Sequence, residues 1–146
     1  MLQSEIAEKI AREAHKGQYR KMGADKGKDY IVHPERVASK FPQNDYLKAA
    51  ALLHDTIEDS SITKEDLKKL GIEDGVISVV DSLTRRKGET YLDFILRISE
   101  DCDAIPVKIA DINDNMESLE EGSLKDKYRL ALYILEQASR TNVLER

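Results

Sequence analysis

The chain has 146 residues, 40% of them hydrophobic and 35% charged, and 23 basic against 28 acidic side chains leave a net charge of −5. This length and composition fit one folded domain over residues 1–146, and they exclude a disordered chain. No basic stripe suits a nucleic-acid backbone, and no apolar run approaches the ~18 residues that span a bilayer. Met1 to Glu5 lacks the basic and apolar regions of a signal peptide. Cys102 is the only cysteine, so an intrachain disulfide is excluded, a cytoplasmic setting is expected, and Cys102 itself reads as an inert packed thiol.

Helical spacing opens the chain: Ile6, Ile10 and Ala14, with Ala7 and Ala11 beside them, share one face, and Gly17 is a plausible stop. A polar segment from Gln18 to Asp29, rich in lysine and glycine, reads as a loop. It leads into Tyr30-Ile31-Val32-His33-Pro34, where Pro34 suits the first turn of a helix running to Phe41 and puts His33 at its mouth. Asn44 or Asp45 caps a central helix that carries the apolar run Ala49 to Leu53 and then His54, Asp55, Ile57, Glu58 and Asp59. Thr63 and Asp66 mark a capping box, and Gly71 ends the helix they open. Ile72, Val76, Val79, Val80 and Leu83 define another amphipathic helix, which Arg85-Arg86-Lys87-Gly88 breaks in a solvated turn. Thr90 caps the next, with Leu92, Ile95 and either Ile98 or Phe94 inward; Pro106 starts another, and the last runs from about Leu124 to Ser139. No strand-like alternation appears, so the expected fold is all-α, a bundle of seven or eight helices.

Two stretches disturb this pattern. The central helix is apolar, yet it ends in one imidazole and three carboxylates, which burial disfavours by several kcal/mol unless each has a partner. The helix after Pro106 sets Asp111 among apolar neighbours with Asn115 four residues on, hence on the same face. Taken singly, each has a plain reading: a solvated acidic helix end, and a structural hydrogen-bonded pair. Taken together, three separated segments supply His33, then His54 with Asp55, then Asp111. Two imidazoles and two carboxylates without cysteine suit a divalent ion such as Mn²⁺, Fe²⁺, Ni²⁺ or Mg²⁺ with coordination positions to spare, rather than a closed structural zinc.

In this order the motifs resemble those of the HD-domain phosphohydrolases and, within them, the hydrolase domain of the RelA/SpoT-type alarmone enzymes. The matching stretches are Ala14-His15-Lys16-Gly17-Gln18-Tyr19-Arg20-Lys21, Tyr30 to Pro34, Ala50 to Asp59, and Lys108-Ile109-Ala110-Asp111 with Asn115-Met116. The resemblance implies an HD-domain helical bundle and a manganese site made of His33, His54, Asp55 and Asp111. It further implies Glu58 and Asp59 beside the attacking water as the proton-transfer pair, Arg20 and Lys21 facing the nucleotide, and Asn115 with Ser118 near the ribose. The implied reaction is hydrolysis of the 3′-diphosphate of ppGpp or pppGpp to pyrophosphate and GDP or GTP. Long members of the family append a synthetase domain, for which this chain is too short, so a small stand-alone hydrolase is expected. Its pairing with a separate alarmone synthetase and its self-association are left open.

The chain also departs from the family. Its loop between Lys21 and Tyr30 is a few residues longer than the usual Gly-x-Pro-Tyr turn, with Asp29 in place of the proline. After Asp111 the family's Arg-Leu-His-Asn becomes Ile112-Asn113-Asp114-Asn115. These changes lie around the nucleotide pocket and bear on base preference. The alternatives are accordingly an HD-type hydrolase for ppApp, NADPH or a deoxynucleotide, and a non-catalytic nucleotide sensor. A sensor would have lost a ligand or the Glu58-Asp59 pair, and neither is lost. His15, alone on the first helix, reads as a packed group, and Tyr128 and Tyr133 as core or oligomer contacts.

Overall fold

A computed structural model describes residues 1–145, with side-chain surroundings through Thr141. Nine α-helices follow one another among the described residues: α1 (Gln3–Ala14), α2 (Val32–Ala38), α3 (Asp45–Leu53), α4 (Thr56–Asp59), α5 (Lys64–Lys69), α6 (Asp74–Ser82), α7 (Tyr91–Ile98), α8 (Ala104–Ser118) and α9 (Ser123–Glu145). The only β feature among them is an isolated bridge between Tyr19 and Asp29.

α3 is the axis of the fold. Ala49, Ala50, Ala51, Leu52 and Leu53 are all buried, and α1, α2, α6 and α8 pack around them. Three successive alanines keep that helix thin, and Ala7 and Ala11 of α1 are equally buried. Small side chains on both partners let the backbones approach closely, and the larger residues interlock around them. α8 closes the other side with Ile105, Val107 and Ile112, and α9 covers it through Ala131 and Leu135.

The helix ends follow their capping residues. Asn44 accepts from the Leu47 amide at 3.1 Å. Thr63 and Asp66 exchange bonds of 3.1 and 3.0 Å in a capping box, and Thr90 accepts from the Asp93 amide at 3.0 Å. Each satisfies an amide that a helix start leaves without a partner.

Three features differ from the sequence expectation. The central helix is not continuous to Asp59: the His54 ring nitrogen Nδ1 lies 2.6 Å from the Ala51 carbonyl, an acceptor the helix would otherwise use, and the chain breaks at His54-Asp55 before restarting as α4. That break adds the helix beyond the seven or eight expected. On α7, Phe94, Ile95 and Ile98 are buried while Leu92 is 52% exposed. Cys102, in the turn before α8, is exposed rather than packed.

The loop after α1 is ordered against α8. Gly23 begins a 3₁₀ turn (Gly23–Asp25) at φ +72°, and a Cβ there would sit 2.0 Å from the Ser118 carbonyl oxygen. Only glycine tolerates both that dihedral and that approach.

Candidate active site

α2, the α3–α4 break and α8 meet at their polar residues. Ligating atoms of His33, His54 and Asp111 lie within 4.8 Å of one another, and all three residues are buried. His33 Nε2 is 2.8 Å from Asp111 Oδ1, and His54 Nε2 is 3.3 Å from the same oxygen. Asp55 Oδ2 approaches to 3.0 Å from His54 Nε2 and 3.9 Å from His33 Nε2. The break in α3 falls at these two residues; on a regular helix, neighbours diverge by about 100°, whereas here His54 and Asp55 both face His33 and its surroundings.

The outer nitrogens fix how the rings are presented. A carbonyl only accepts, so His54 Nδ1 carries the proton it donates to Ala51 O, and in the neutral ring the lone pair is on Nε2. His33 Nδ1 faces Asp114 Oδ2 at 2.6 Å. His54 Nε2 is buried and makes no hydrogen bond, although carboxylate oxygens stand close by. A lone pair against carboxylate oxygens is repulsive unless a cation or a proton lies between them. The donor set of two imidazole nitrogens and two carboxylates therefore fits a divalent metal.

The ionisation of the cluster follows the same logic. Burial works against charge on His54, but Asp55 and Asp111 outweigh it and hold the imidazole well above its ordinary range. Burial likewise opposes charge on His33, which Asp111 and Asp114 push upward. Asp111, though desolvated, is held well below the carboxylate range by Lys108 and the two histidines; Lys108 Nζ sits 2.8 Å from its Oδ2, leaving Oδ1 for the centre. Asp55 is held low by His54 against its own burial, and its Oδ2 accepts from the Tyr30 hydroxyl.

The centre meets a cavity of about 950 Å³ at Asp55 and Asp111, with Arg20, Lys21, Asp59, Lys108, Asn115, Ser118 and Tyr128 also in its lining. Arg20 lies over the Tyr30 ring, 5.6 Å from its centroid, and donates to Asn115 Oδ1 at 2.9 Å, while its buried Nε has no partner. Asn115 in turn donates to Asp111 Oδ1 at 3.3 Å. Of the expected proton-transfer pair, Asp59 lines the cavity; Glu58 does not, and its carboxylate accepts from the Arg85 amide. Arg85 and Arg86 bind nearby backbone carbonyls, and Arg86 also binds Asp81, as members of a turn. His15 stacks near Tyr30 with centroids 4.8 Å apart, and Tyr133 is exposed.

Four contributors have no role assigned from the sequence, although Tyr30 and Lys108 stand in its matching stretches. Lys108 and Asp114 lie three residues to either side of Asp111, and Arg36 lies three beyond His33, a spacing that puts each pair on one helical face. Tyr30 carried no such signal, because its hydroxyl reaches Asp55 across the fold.

No family model matches the chain. A Haemophilus influenzae protein named guanosine-3′,5′-bis(diphosphate) 3′-pyrophosphohydrolase is 41% identical over 135 residues, covering 82% of this chain and 19% of its own length. The Escherichia coli protein named bifunctional (p)ppGpp synthase/hydrolase SpoT is 37% identical, covering 82% of this chain and 18% of its own. In fold, the chain matches a solved structure described as a metazoan ortholog of SpoT that hydrolyses ppGpp, with a TM-score of 0.74 at 22% identity, over 94% of this chain and 85% of the other. The chain belongs to the RelA/SpoT-type hydrolase-domain family. It spans about a fifth of the length of the curated relatives it matches. Among the described residues of this RelA/SpoT-type domain, no helix is long and apolar enough to cross a membrane.

Proposed function

We propose that residues 1–146 act as one RelA/SpoT-type domain that hydrolyses the 3′-diphosphate of ppGpp or pppGpp, releasing pyrophosphate and GDP or GTP in the cytoplasm. One observation carries the reading: the imidazole–carboxylate cluster of His33, His54, Asp55 and Asp111 meets a cavity whose wall presents Arg20, Lys21 and Lys108. The relatives' names narrow the anion to a nucleotide 3′-diphosphate.

In this reading His33, His54, Asp55 and Asp111 hold the divalent ion; the absence of sulfur ligands suits Mn²⁺, Fe²⁺, Ni²⁺ or Mg²⁺ better than a closed structural zinc, and the resemblance to the family selects Mn²⁺ among them. When bound, such an ion supplies Lewis acidity toward a phosphoryl oxygen and makes a water molecule acidic. The protein's own groups do the rest. Lys108 keeps Asp111 ionised, and the Tyr30 hydroxyl aims Asp55. Arg20, with its free Nε, and Lys21 receive the diphosphate, where a planar fork and a compact charge complement one another. Asn115 and Ser118 face the ribose. Asp59 accepts the proton from the attacking water: burial, and Asp55 behind it, hold its carboxyl above the ordinary range, which suits a general base. Glu58 braces the wall through Arg85. An alarmone synthetase is the activity this hydrolysis would balance.

The deciding experiment incubates the purified chain and Mn²⁺ with ppGpp, ppApp, NADPH and deoxynucleotides, and separates the products by ion exchange. Release of pyrophosphate and GDP from ppGpp is expected. Turnover of another nucleotide with ppGpp untouched would replace this substrate assignment, and no turnover of any would favour the sensor.

A further inference from the structure

Beneath the ligand cluster lies a row of charged side chains that the reaction outlined above does not use. Asp114 is buried, and both its oxygens are engaged: Oδ2 by His33 Nδ1 at 2.6 Å and Arg36 Nη2 at 3.0 Å, Oδ1 by Arg36 Nε at 2.7 Å. The Arg36 Nη2 group also donates to Asp25, a second buried carboxylate, whose other oxygen lies 3.1 Å from Lys28 Nζ. Asp25 closes the 3₁₀ turn of the segment that contributes Arg20, Lys21, Met22, Lys26 and Gly27 to the cavity wall. None of Asp25, Arg36 and Asp114 lines that cavity. One guanidinium thus grips, through two carboxylates, both a histidine of the centre and the loop that walls the nucleotide cavity.

Two facts separate this row from an ordinary surface ion pair. Both carboxylates are buried, so each needs its partners. Arg36 meets Asp114 through two nitrogens, a planar fork that fixes direction as well as charge. Asp114, with no hydrogen to give, accepts from His33 Nδ1, which presents the Nε2 lone pair toward Asp111 and Asp55. Such hydrogen bonds behind a ligating imidazole set its tautomer and basicity.

We propose that Asp114 and Arg36 are positioning residues: Asp114 fixes the His33 ring for metal binding, and Arg36 ties that ring's support to the Asp25 end of the substrate loop. The inference rests on His33 being a metal ligand. In the Asp114→Asn variant an amide that turns its oxygen toward His33 must turn its NH₂ toward Arg36, where donor faces donor. If it turns the other way, the NH₂ meets His33 Nδ1 and drives the proton to Nε2. Adding Arg36→Met removes that conflict and frees the amide oxygen for His33. Asp25→Asn loosens only the loop.

The test titrates Mn²⁺ calorimetrically into the EDTA-treated full chain and measures KM for ppGpp on the metal-saturated protein. Asp114→Asn is expected to weaken Mn²⁺ binding about 10- to 100-fold, and the Asp114→Asn/Arg36→Met double variant to recover most of that loss. A merely structural network would instead make the double variant the weaker of the two. Asp25→Asn is expected to raise KM several-fold with Mn²⁺ affinity unchanged. Wild-type affinity in Asp114→Asn, or a double variant worse than the single one, overturns the tautomer assignment; an unchanged KM in Asp25→Asn overturns the loop tie. If Asp114→Asn does not fold while the double variant folds and binds Mn²⁺, the same donor–donor conflict is reported, and the Asp25→Asn arm needs neither. His54→Ala separates the two levels: loss of Mn²⁺ there with retention in Asp114→Asn leaves the metal centre standing and removes only this inference. A wild-type chain that binds no Mn²⁺ removes both.

Discussion

At His54 the two ring nitrogens have opposite surroundings. Nδ1 is satisfied by the Ala51 carbonyl, whereas Nε2 is buried among carboxylate oxygens with no hydrogen-bond partner. Removing the ring leaves Asp55 and Asp111 as adjacent desolvated anions, and removing Asp55 takes the charge that meets both imidazoles. His54→Ala and Asp55→Ala should therefore each lose the copurifying or added divalent metal on gel filtration, together with hydrolysis. Elemental analysis checks this, and full occupancy in both variants would sink the ligand set. Glu58 and Asp59 are chemically alike, but the fold separates them. Asp59 lines the cavity while Glu58 is engaged by the Arg85 amide. Asp59→Asn should lower kcat about 10²- to 10⁴-fold at saturating metal. Glu58→Gln, whose amide oxygen can still accept from Arg85, should keep kcat within about tenfold, well short of what loss of a general base costs. Equal losses in the two would restore the shared role expected from the sequence.

Between elements, the α6–α7 corner and the loop over α8 each hang on few atoms. Arg97 of α7 meets both oxygens of Glu89, at 2.8 and 3.1 Å, and donates to the carbonyls of Ser82 and Thr84 at 2.9 and 3.0 Å. It thereby satisfies carbonyls that the end of α6 leaves without helical partners. Arg97→Met should cost about 1.5 to 3 kcal/mol near neutral pH, the range for bonds to charged groups. Arg97 also holds the Glu89 carboxyl down at about 2, against a usual 4.5. A depressed folded-state value stabilises the fold above the ordinary carboxylate range, and the benefit fades as pH falls from 4.5 toward 2. Urea melts of wild type and variant should thus differ most near neutrality and converge in acid. The loop depends on Gly23, where φ +72° and the 2.0 Å approach to Ser118 O leave no room for a methyl group. Gly23→Ala should lift the loop and raise KM several-fold with Mn²⁺ affinity unchanged; an unaltered KM would show that the wall is not set by this contact. Sequence made the helix starts at Asn44, Thr63 and Thr90 legible, because a cap needs only residues three apart. It did not reveal the break at His54, since the hydrogen bond that ends α3 is made by a ring whose direction depends on the buried centre. On α7, Leu92, Phe94, Ile95, Leu96 and Ile98 are too many apolar residues to define a single face; packing selects Phe94, Ile95 and Ile98. That His33, His54, Asp55 and Asp111 would come together was legible through motif order, and the fold does cluster them, whereas Arg36 and Asp114, 78 positions apart, became partners only once α2 lay against α8.

For the molecule as a whole, a metal held as proposed by α2, the α3–α4 break and α8 would bind only the folded chain, and so would stabilise it. At a hundred times Kd the gain is about 2.7 kcal/mol, which for a chain of this size corresponds to about 5 to 10 °C in Tm. EDTA-stripped protein titrated with Mn²⁺ should show that rise in a thermal scan, and His54→Ala should show none of it; an equal rise in both would place the bound metal elsewhere. The same three-segment arrangement also sets a schedule. His33, His54 and Asp55 leave the ribosome early, but Asp111 follows His33 by 78 positions, about 4 to 16 s later at 5–20 residues per second. With the ligand set proposed above, a nascent chain would carry three of its four ligands through that interval without Asp111, so the proposed hydrolysis would wait until α8 has emerged and docked.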